Sequence, residues 1–306
     1  MKRRDFLGLT TLAAGTLALN PLSEAAQSGA AQSATRLEPV EPEWFPLTKE
    51  VKTTRIGFGT GMRGGQRRAD LTRMGYPKAV ELLRYAYDLG IRLFDCADMY
   101  GTHDVVREAL QGKPRDSYVL VTKCWVLGGG IPETERLPPE VLIERFLREF
   151  GQRTEYIDVV QIHCMQNNRW TRDHIAVMES LERAKKAGKI LAHGISSHSN
   201  AATELGAETE WCDVIHVRIN SEGMSMDGNG ETAVAEAVRT TKKAHDAGKG
   251  VIAMKVVGEG RMTDLEMRKK STKFVMDLGT VDNMIIGFTE MEHITEFVAN
   301  VKAASA

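Results

Sequence analysis

The feature of this sequence that most limits its possible folds is a regular alternation of short apolar runs with amphipathic stretches. Such an alternation is typical of parallel β/α units. Eight strand-like segments can be counted after residue 50: Arg55–Phe58, Arg92–Cys96, Tyr118–Lys123, Ile157–His163, Ile190–Ile195, Val214–Ile219, Gly250–Lys255 and Met284–Gly287. Eight units over about 250 residues predict a single α/β domain, a closed (β/α)8 TIM barrel with parallel strands.

The stretches between these strands have helical periodicity. Pro77–Leu89 and Val141–Phe150 carry apolar side chains at helical spacing. Gly90 and Gly248 each follow an amphipathic run and precede a strand, where a left-handed helix cap is favoured. The glycine-rich stretch Gly57–Gly61 lacks the spacing of a dinucleotide-binding turn, which favours the barrel over an open doubly wound sheet.

The first residues of the chain indicate export. Arg3 and Arg4 precede the apolar stretch Phe6–Leu19, which is too short to span ~30 Å of hydrocarbon as a helix. The paired arginines followed by Phe and Leu resemble a twin-arginine signal. We therefore expect a signal and cleavage region at 1–31, recognised by the twin-arginine export machinery, a linker at 32–50 and the barrel at 51–306. The mature protein is then periplasmic or otherwise exported, without a stable membrane span; an uncleaved anchor is the alternative.

The charge balance points to a small-molecule partner. The chain has 40 basic and 41 acidic residues, and no long basic run occurs. This pattern favours neither a nucleic acid nor an anionic membrane surface as a partner.

Ionisable residues lie at the ends of three consecutive predicted strands. Asp95 closes the second strand, with Tyr100 five residues further on; Lys123 closes the third and His163 the fourth. Catalytic groups of such barrels come from the C-terminal ends of the strands. Since neighbouring strands are about 4.8 Å apart, these four side chains are expected to meet at one mouth.

The four residue types suit proton transfer to a carbonyl. A tyrosine phenol titrates near pH ~10, so it needs a nearby positive charge to act at neutral pH. We expect Lys123 to lower the pKa of Tyr100, Asp95 to hold the ammonium, and His163 to orient the substrate carbonyl.

These four residues resemble the Asp-Tyr-Lys-His tetrad of the aldo-keto reductase family. Four surrounding segments resemble that family's motifs, in its order: Phe94–Gly101, Val121–Lys123, Asp158–His163 and Gly194–Ser197. The resemblance extends from about Arg55 to Val298. It implies a barrel that transfers hydride between NADP(H) or NAD(H) and a small carbonyl, alcohol or sugar substrate, without a metal. It also implies that Tyr100 is the proton donor or acceptor.

The same resemblance assigns further residues to the cofactor. The implied contacts are Thr60, Asp95, Ser196, Ser197, His216, Met254, Lys255 and Gly287. Ser197 and His216 depart from the family, which usually has Asn and Gln there. Gly287 and His293 stand where many NADP-preferring members carry Lys and Arg.

Aromatic and sulfur side chains after strands three and four suggest a substrate pocket. We expect Trp125, Met165 and Trp170 to line its wall, although core packing is the alternative. Cys96, Cys124 and Cys164 each follow a tetrad member, so a zinc site or a disulfide of Cys124 with one of the others is conceivable. Strand alternation instead turns these cysteines away from the barrel axis, under the helices.

Two other classes of function stay open from the sequence. The first is a regulatory or sensor barrel that binds the cofactor with little turnover. The second is a metal-dependent barrel hydrolase. His103 and His198 lie in loops or helices, where a solvated side chain is the default. If the protein is exported, the cofactor is expected to bind tightly before export, because nicotinamide nucleotides are scarce outside the cytoplasm.

Overall fold

The fold is a closed barrel of eight parallel strands, as predicted. A computed structural model describes residues 40–151 and 154–305. Strand β10 pairs with β3 through Met284 and Ile56, and this pairing closes the barrel. The barrel strands are β3 (Ile56–Gly59), β4 (Leu93–Asp95), β5 (Val119–Cys124), β6 (Ile157–Met165), β7 (Ile190–Ser197), β8 (Val214–Arg218), β9 (Gly250–Met254) and β10 (Asn283–Ile286).

Helices follow the barrel strands on the outside. The two helices predicted in detail are found at Tyr76–Asp88 and Pro139–Phe150, and each buries its apolar side chains. Gly90 adopts a positive φ of 90° after the first of them. The α-helices are α1 (Asp70–Arg73), α2 (Tyr76–Asp88), α3 (His103–Ala109), α4 (Pro139–Phe150), α5 (Trp170–Asp173), α6 (Ile175–Lys186), α7 (Asn200–Glu208), α8 (Gly230–Asp246), α9 (Leu265–Asp277) and α10 (Met291–Ala304).

A hairpin precedes the barrel, and it corrects the predicted linker boundary. Strand β1 (Phe45–Pro46) pairs antiparallel with β2 (Lys52–Thr53). Leu47 and Val51 are buried in a cluster with Val119 and other residues near the starts of the barrel strands. Because these two apolar side chains cover the N-terminal end of the barrel, residues 45–50 belong to the folded domain and not to a linker.

The barrel interior changes character from one end to the other. Its lower part is an apolar cluster that includes Leu93, Val121, Val159 and Ile252. Towards the C-terminal ends of the same strands the inward side chains become polar. This polar end is where the predicted site lies.

The predicted export signal, and the linker residues before 40, lie outside the described residues. Within the described ranges, no helix combines the length and apolarity that crossing a membrane requires.

Candidate active site

The structure brings together the four residues predicted from the strand ends, which we call the tetrad: Asp95, Tyr100, Lys123 and His163. The Tyr100 hydroxyl lies 3.2 Å from Nε2 of His163. Lys123 Nζ lies 5.5 Å from the centroid of the Tyr100 ring. Tyr100 is carried by a short 3-10 turn, Asp98–Tyr100, that directly follows β4.

Lys123 is held by a buried ion pair. Its ammonium donates to Oδ1 of Asp95 and to the carbonyl oxygen of Cys96, the latter at 2.9 Å. Burial alone would raise the pKa of Asp95, but the Lys123 charge and the hydrogen bond from His216 outweigh it, so the pKa is lowered. Asp95 therefore stays ionised and fixes the lysine beneath the tyrosine ring.

The tyrosine itself contradicts one sequence expectation. Burial, followed by the Asp95 carboxylate, raises the pKa of Tyr100 well above its usual value of 10.0. The expected lowering by Lys123 is not found, because the ammonium donates to Asp95, whose charge opposes it. The phenol consequently keeps its proton at neutral pH, which suits a proton donor.

His163 is a neutral imidazole. Burial, followed by the charge of Lys123, lowers its pKa well below 6.5. Trp125 packs edge-on against the ring with centroids 5.2 Å apart, and its Nε1 donates to the carbonyl oxygen of Gly129 at 2.7 Å. Trp125 therefore lies at the site, as predicted for a substrate wall.

A glycine-rich loop after β3 packs directly on the Tyr100 ring. A Cβ added at Gly61 would lie 2.2 Å from ring carbons, and one added at Gly64 would lie 2.5 Å away. Gly101, at φ 63°, leaves room for the carbonyl oxygen of Arg67 from the same loop. The missing side chains thus let the loop hold the ring in place.

Five of the eight predicted cofactor residues lie around the mouth. Ser196 pairs with His216 across β7 and β8, and Met254 ends β9. Nε2 of His216 lies 3.1 Å from Oδ1 of Asp95. The Thr60 hydroxyl donates to the carbonyl oxygen of Asp95 at 2.9 Å.

His216 fits the amide end of a nicotinamide. Burial lowers its pKa below 6.5, so the ring is neutral and donates from Nε2 to Asp95. Its Nδ1 is then a buried acceptor, and it has no hydrogen-bond partner within the described part of the chain. A carboxamide NH2 is one donor that would satisfy such an atom.

The other three predicted cofactor residues are engaged within the protein. The Ser197 hydroxyl donates to the carbonyl oxygen of Ser199 and accepts from Thr203, both at 2.8 Å. Lys255 is paired with Glu259. Gly287 packs against Met62, whose side chain an added Cβ would meet at 2.3 Å.

Two residues predicted for the substrate wall lie in the core instead. Trp170 is 2% exposed, and its Nε1 donates to the carbonyl oxygen of Ala202 in α7 at 3.3 Å. Met165 is 1% exposed and packs in the layer between the barrel and the helices. Both predictions were wrong because the strand and helix that carry these residues turn them outward.

The cysteines follow the predicted alternation with one exception. Cys96 and Cys124 are buried in the layer under the helices, and all four cysteines are free thiols. Cys164 has a positive φ of 66°, and the strand register shifts between Ile162 and Met165. Its Sγ consequently lies 3.1 Å from Nδ1 of His198 at the mouth. In the ranges that the structure describes, no three His, Cys, Asp or Glu side chains are arranged to hold a metal ion.

A buried network behind Tyr100 was not predicted. His103, expected to be solvated, is 2% exposed and bonds to Glu149 at 2.5 Å and to Thr122 at 2.7 Å. Arg67 bridges Glu149 and Asp98, each at 2.7 Å. The sequence signal was weak, because these partners lie on separate elements that only the tertiary structure brings together. The network anchors both the glycine-rich loop and the turn that carries Tyr100.

A cavity lined by described residues lies away from this chemistry. It has a volume of about 670 Å³ and lies near the N-terminal end of the barrel, beside Phe45, Arg55, Leu89 and Val275. No tetrad residue lines it. The tetrad and the candidate site lie at the opposite end, where the barrel strands have their C-terminal ends.

Comparison with known proteins shows the family to which this chain belongs. The model of the Aldo/keto reductase family matches residues 55–277. This chain belongs to the aldo/keto reductase family, and the resemblance seen in its motifs is confirmed.

The individual relatives that match this chain have low sequence identity to it. Aldo-keto reductase YhdN of Bacillus subtilis is 31% identical over 160 residues, which are 49% of this chain and 45% of that protein. The chain thus aligns with less than half the length of such relatives.

Solved structures show the fold. An aldo-keto reductase of Pseudomonas aeruginosa has a TM-score of 0.67 at 22% identity, covering 86% of this chain and 96% of that one. An aldo-keto reductase of Klebsiella pneumoniae, solved in complex with NADPH, has a TM-score of 0.61 at 20% identity, covering 86% of this chain and 90% of that one.

Proposed function

We propose that the protein is an NAD(P)(H)-dependent oxidoreductase that reduces an aldehyde or ketone, or oxidises the matching alcohol or sugar, with Tyr100 as proton donor. The observation that carries the proposal is the Tyr100 hydroxyl 3.2 Å from Nε2 of His163, above the buried Lys123–Asp95 pair. Family membership and the cofactor named for the Klebsiella pneumoniae structure support the same activity.

The tetrad has a division of roles. When bound, the nicotinamide supplies or accepts the hydride. A carbonyl oxygen placed between Tyr100 and His163 would accept a hydrogen bond from both. Because its pKa is raised, Tyr100 releases its proton only when negative charge develops on that oxygen. The Lys123 ammonium, 5.5 Å from the ring centroid, then stabilises the phenolate that forms.

The residues at the mouth fit the nicotinamide half of the cofactor. They provide little to distinguish NADPH, which carries a 2′-phosphate, from NADH. His216, Ser196 and Met254 surround the mouth, and His216 offers the unpaired acceptor. Gly287 brings no positive charge to a 2′-phosphate, so we expect NADH and NADPH to be bound with affinities within ~10-fold of each other.

Export with the cofactor already bound stays a proposal from the sequence. Residues 1–31 would direct the folded protein through the twin-arginine machinery. The test is to purify the mature protein from a periplasmic extract and to analyse the nucleotide it releases on denaturation. A nicotinamide nucleotide at near one equivalent is expected; a nucleotide-free protein would contradict loading before export.

The activity is tested with a panel of aldehydes, ketones and sugars. NADPH and NADH oxidation is followed spectroscopically, and the alcohol product is identified by mass spectrometry. We expect stoichiometric alcohol formation from at least one class of carbonyl. Tight nucleotide binding without turnover across the panel would favour a sensor role instead.

A further inference from the structure

Arg218 is placed at the mouth of the barrel by strand alternation. It ends β8 and lies two residues beyond His216, so both side chains are on the barrel-facing side. Its neighbour across the sheet is Met254 of β9. The Cα atom of Arg218 is therefore about 6.6 Å further along the strand than that of His216, whose ring contacts Asp95.

The guanidinium of Arg218 is unusual among the described buried or partly buried arginines in having no oxygen acceptor, whereas Arg55 and Arg92 donate to backbone carbonyl oxygens. Four other arginines with partly buried side chains each have a carboxylate oxygen within 2.8 Å: Arg67, Arg115, Arg145 and Arg268. Among the described residues, the hydrogen-bond partner of Arg218 is Nδ1 of His198, a neutral atom. Its Nε is buried and has no partner in the same set of residues.

The nearest acids are engaged elsewhere. Oδ2 of Asp227 accepts from the backbone N–H of Asn200 at 2.8 Å, and Glu259 is paired with Lys255. His198 is neutral, because burial and the charges of Arg218 and Lys255 lower its pKa to about 3, and an imidazole supplies no negative charge in either protonation state. A partly buried cation with a spare Nε donor at the mouth offers a binding group to an anion from outside the chain.

Arg218 is connected to the tetrad by a short path. Nδ1 of His198 lies 3.1 Å from Sγ of Cys164, the residue after His163. The positive φ of Cys164 turns its thiol towards this cluster. An anion on Arg218 would thus lie at the same mouth of the barrel as His163.

We propose that Arg218 binds the carboxylate of the substrate, so that the protein acts on small carbonyl compounds carrying an acid group, such as oxo acids or uronic acids. The inference rests on the proposed oxidoreductase function and adds a substrate class to it. A phosphate group of the nucleotide is the other source of an oxyanion, and the test separates the two.

The test compares substrates that differ only in that acid group. Suitable pairs are 4-oxobutanoate with 4-oxobutanamide and glucuronate with glucuronamide. Each pair is assayed with the wild type, Arg218→Met, Arg218→Lys and the control Arg239→Met, which changes an exposed arginine of α8. Nucleotide dissociation constants are measured for all four proteins, and binding of each pair is measured by calorimetry.

The wild type should favour the carboxylate by ~10-fold or more in kcat/KM. Arg218→Met should lose that preference mainly through KM, with neutral substrates within ~3-fold of wild type, while Arg218→Lys keeps part of it and Arg239→Met keeps all of it. An equal preference in the wild type, or a preference that survives in Arg218→Met, would overturn the proposal.

Two further outcomes separate a failure of the Arg218 proposal from a failure of the proposed oxidoreductase function. Weaker nucleotide binding by Arg218→Met with an unchanged carboxylate preference would assign the arginine to the cofactor phosphate and overturn the proposal. If no carbonyl is turned over, the oxidoreductase proposal fails. The calorimetric preference for glucuronate over glucuronamide then still decides whether Arg218 binds a carboxylate.

Discussion

The two walls of the barrel mouth differ in how their side chains are positioned. The wall formed by β4, β5 and β6 carries the tetrad: Asp95, Lys123 and His163 lie where strand alternation puts them, and Tyr100 lies on the 3-10 turn after β4. The wall formed by β7, β8 and β9 carries His198, His216 and Arg218, with Cys164 reaching it through a left-handed backbone. The residues of the first wall resemble the tetrad of the aldo/keto reductase family, whereas His216 of the second stands where the resemblance implies Gln. We infer that the first determines the reaction and the second determines what is bound.

The largest expected effect on the tetrad wall is on stability. Lys123→Met would leave Asp95 ionised and buried without its countercharge, which costs roughly 3–5 kcal/mol. The free energy of unfolding is measured by urea denaturation. The double variant Asp95→Asn/Lys123→Met should recover part of the loss; equal losses in the single and double variants would show that the charge pair is not the cause.

The packing of the glycine-rich loop on the Tyr100 ring can be changed without substituting a tetrad residue. Gly61→Ala would push a methyl group into the ring, and we expect kcat to fall about 100-fold with little change in nucleotide affinity. Gly65→Ala is the matched control, since an added Cβ meets no described atom within 4 Å there. Similar kcat values for the two variants would contradict the positioning role of the loop.

The buried network behind Tyr100 predicts a pH dependence of stability. Burial alone would raise the pKa of Glu149, but His103, Arg145 and Arg67 lower it from 4.5 to about 2. Its stabilising contribution is therefore present above pH 4.5 and is lost as the pH falls towards 2. Glu149→Gln should be less stable than wild type by about 2 kcal/mol at pH 7.

The difference between wild type and Glu149→Gln should shrink between pH 5 and 3, as followed by urea unfolding. Glu290→Gln, in an exposed pair with Lys78, is the control and should change stability little at any pH. A constant Glu149 difference across that range would rule out the titration.

The smallest effect is expected on the wall formed by β7, β8 and β9, which carries His216. His216→Leu removes both the bond to Asp95 and the unpaired Nδ1, so nucleotide affinity should fall by about 5- to 10-fold. Fluorescence titration with NADPH and NADH measures it. An unchanged dissociation constant would show that His216 does not contact the nicotinamide amide.

The strands and the tetrad could be predicted because both depend on local periodicity. A parallel strand buried on both faces is visible as a short apolar run, and its last inward residue faces the mouth. Asp95, Lys123 and His163 all satisfy this rule. Their relative positions follow from the strand order alone.

The remaining features depend on contacts that periodicity does not encode. The irregular end of β6 reverses the expected side of Cys164, and Trp170 follows its short helix into the core. His103 and Arg67 both contact Glu149 of α4, dozens of residues away along the chain. The hairpin at residues 45–53 was missed because strands of two residues leave no pattern.

The most direct test of proton donation by the tetrad is a single-turnover comparison of wild type and Tyr100→Phe. The variant removes only the hydroxyl that lies 3.2 Å from His163. We expect the rate of carbonyl reduction to fall by about 10³-fold, with the NADPH dissociation constant unchanged. A variant that reduces the same carbonyl within ~10-fold of the wild-type rate would contradict Tyr100 as the proton donor.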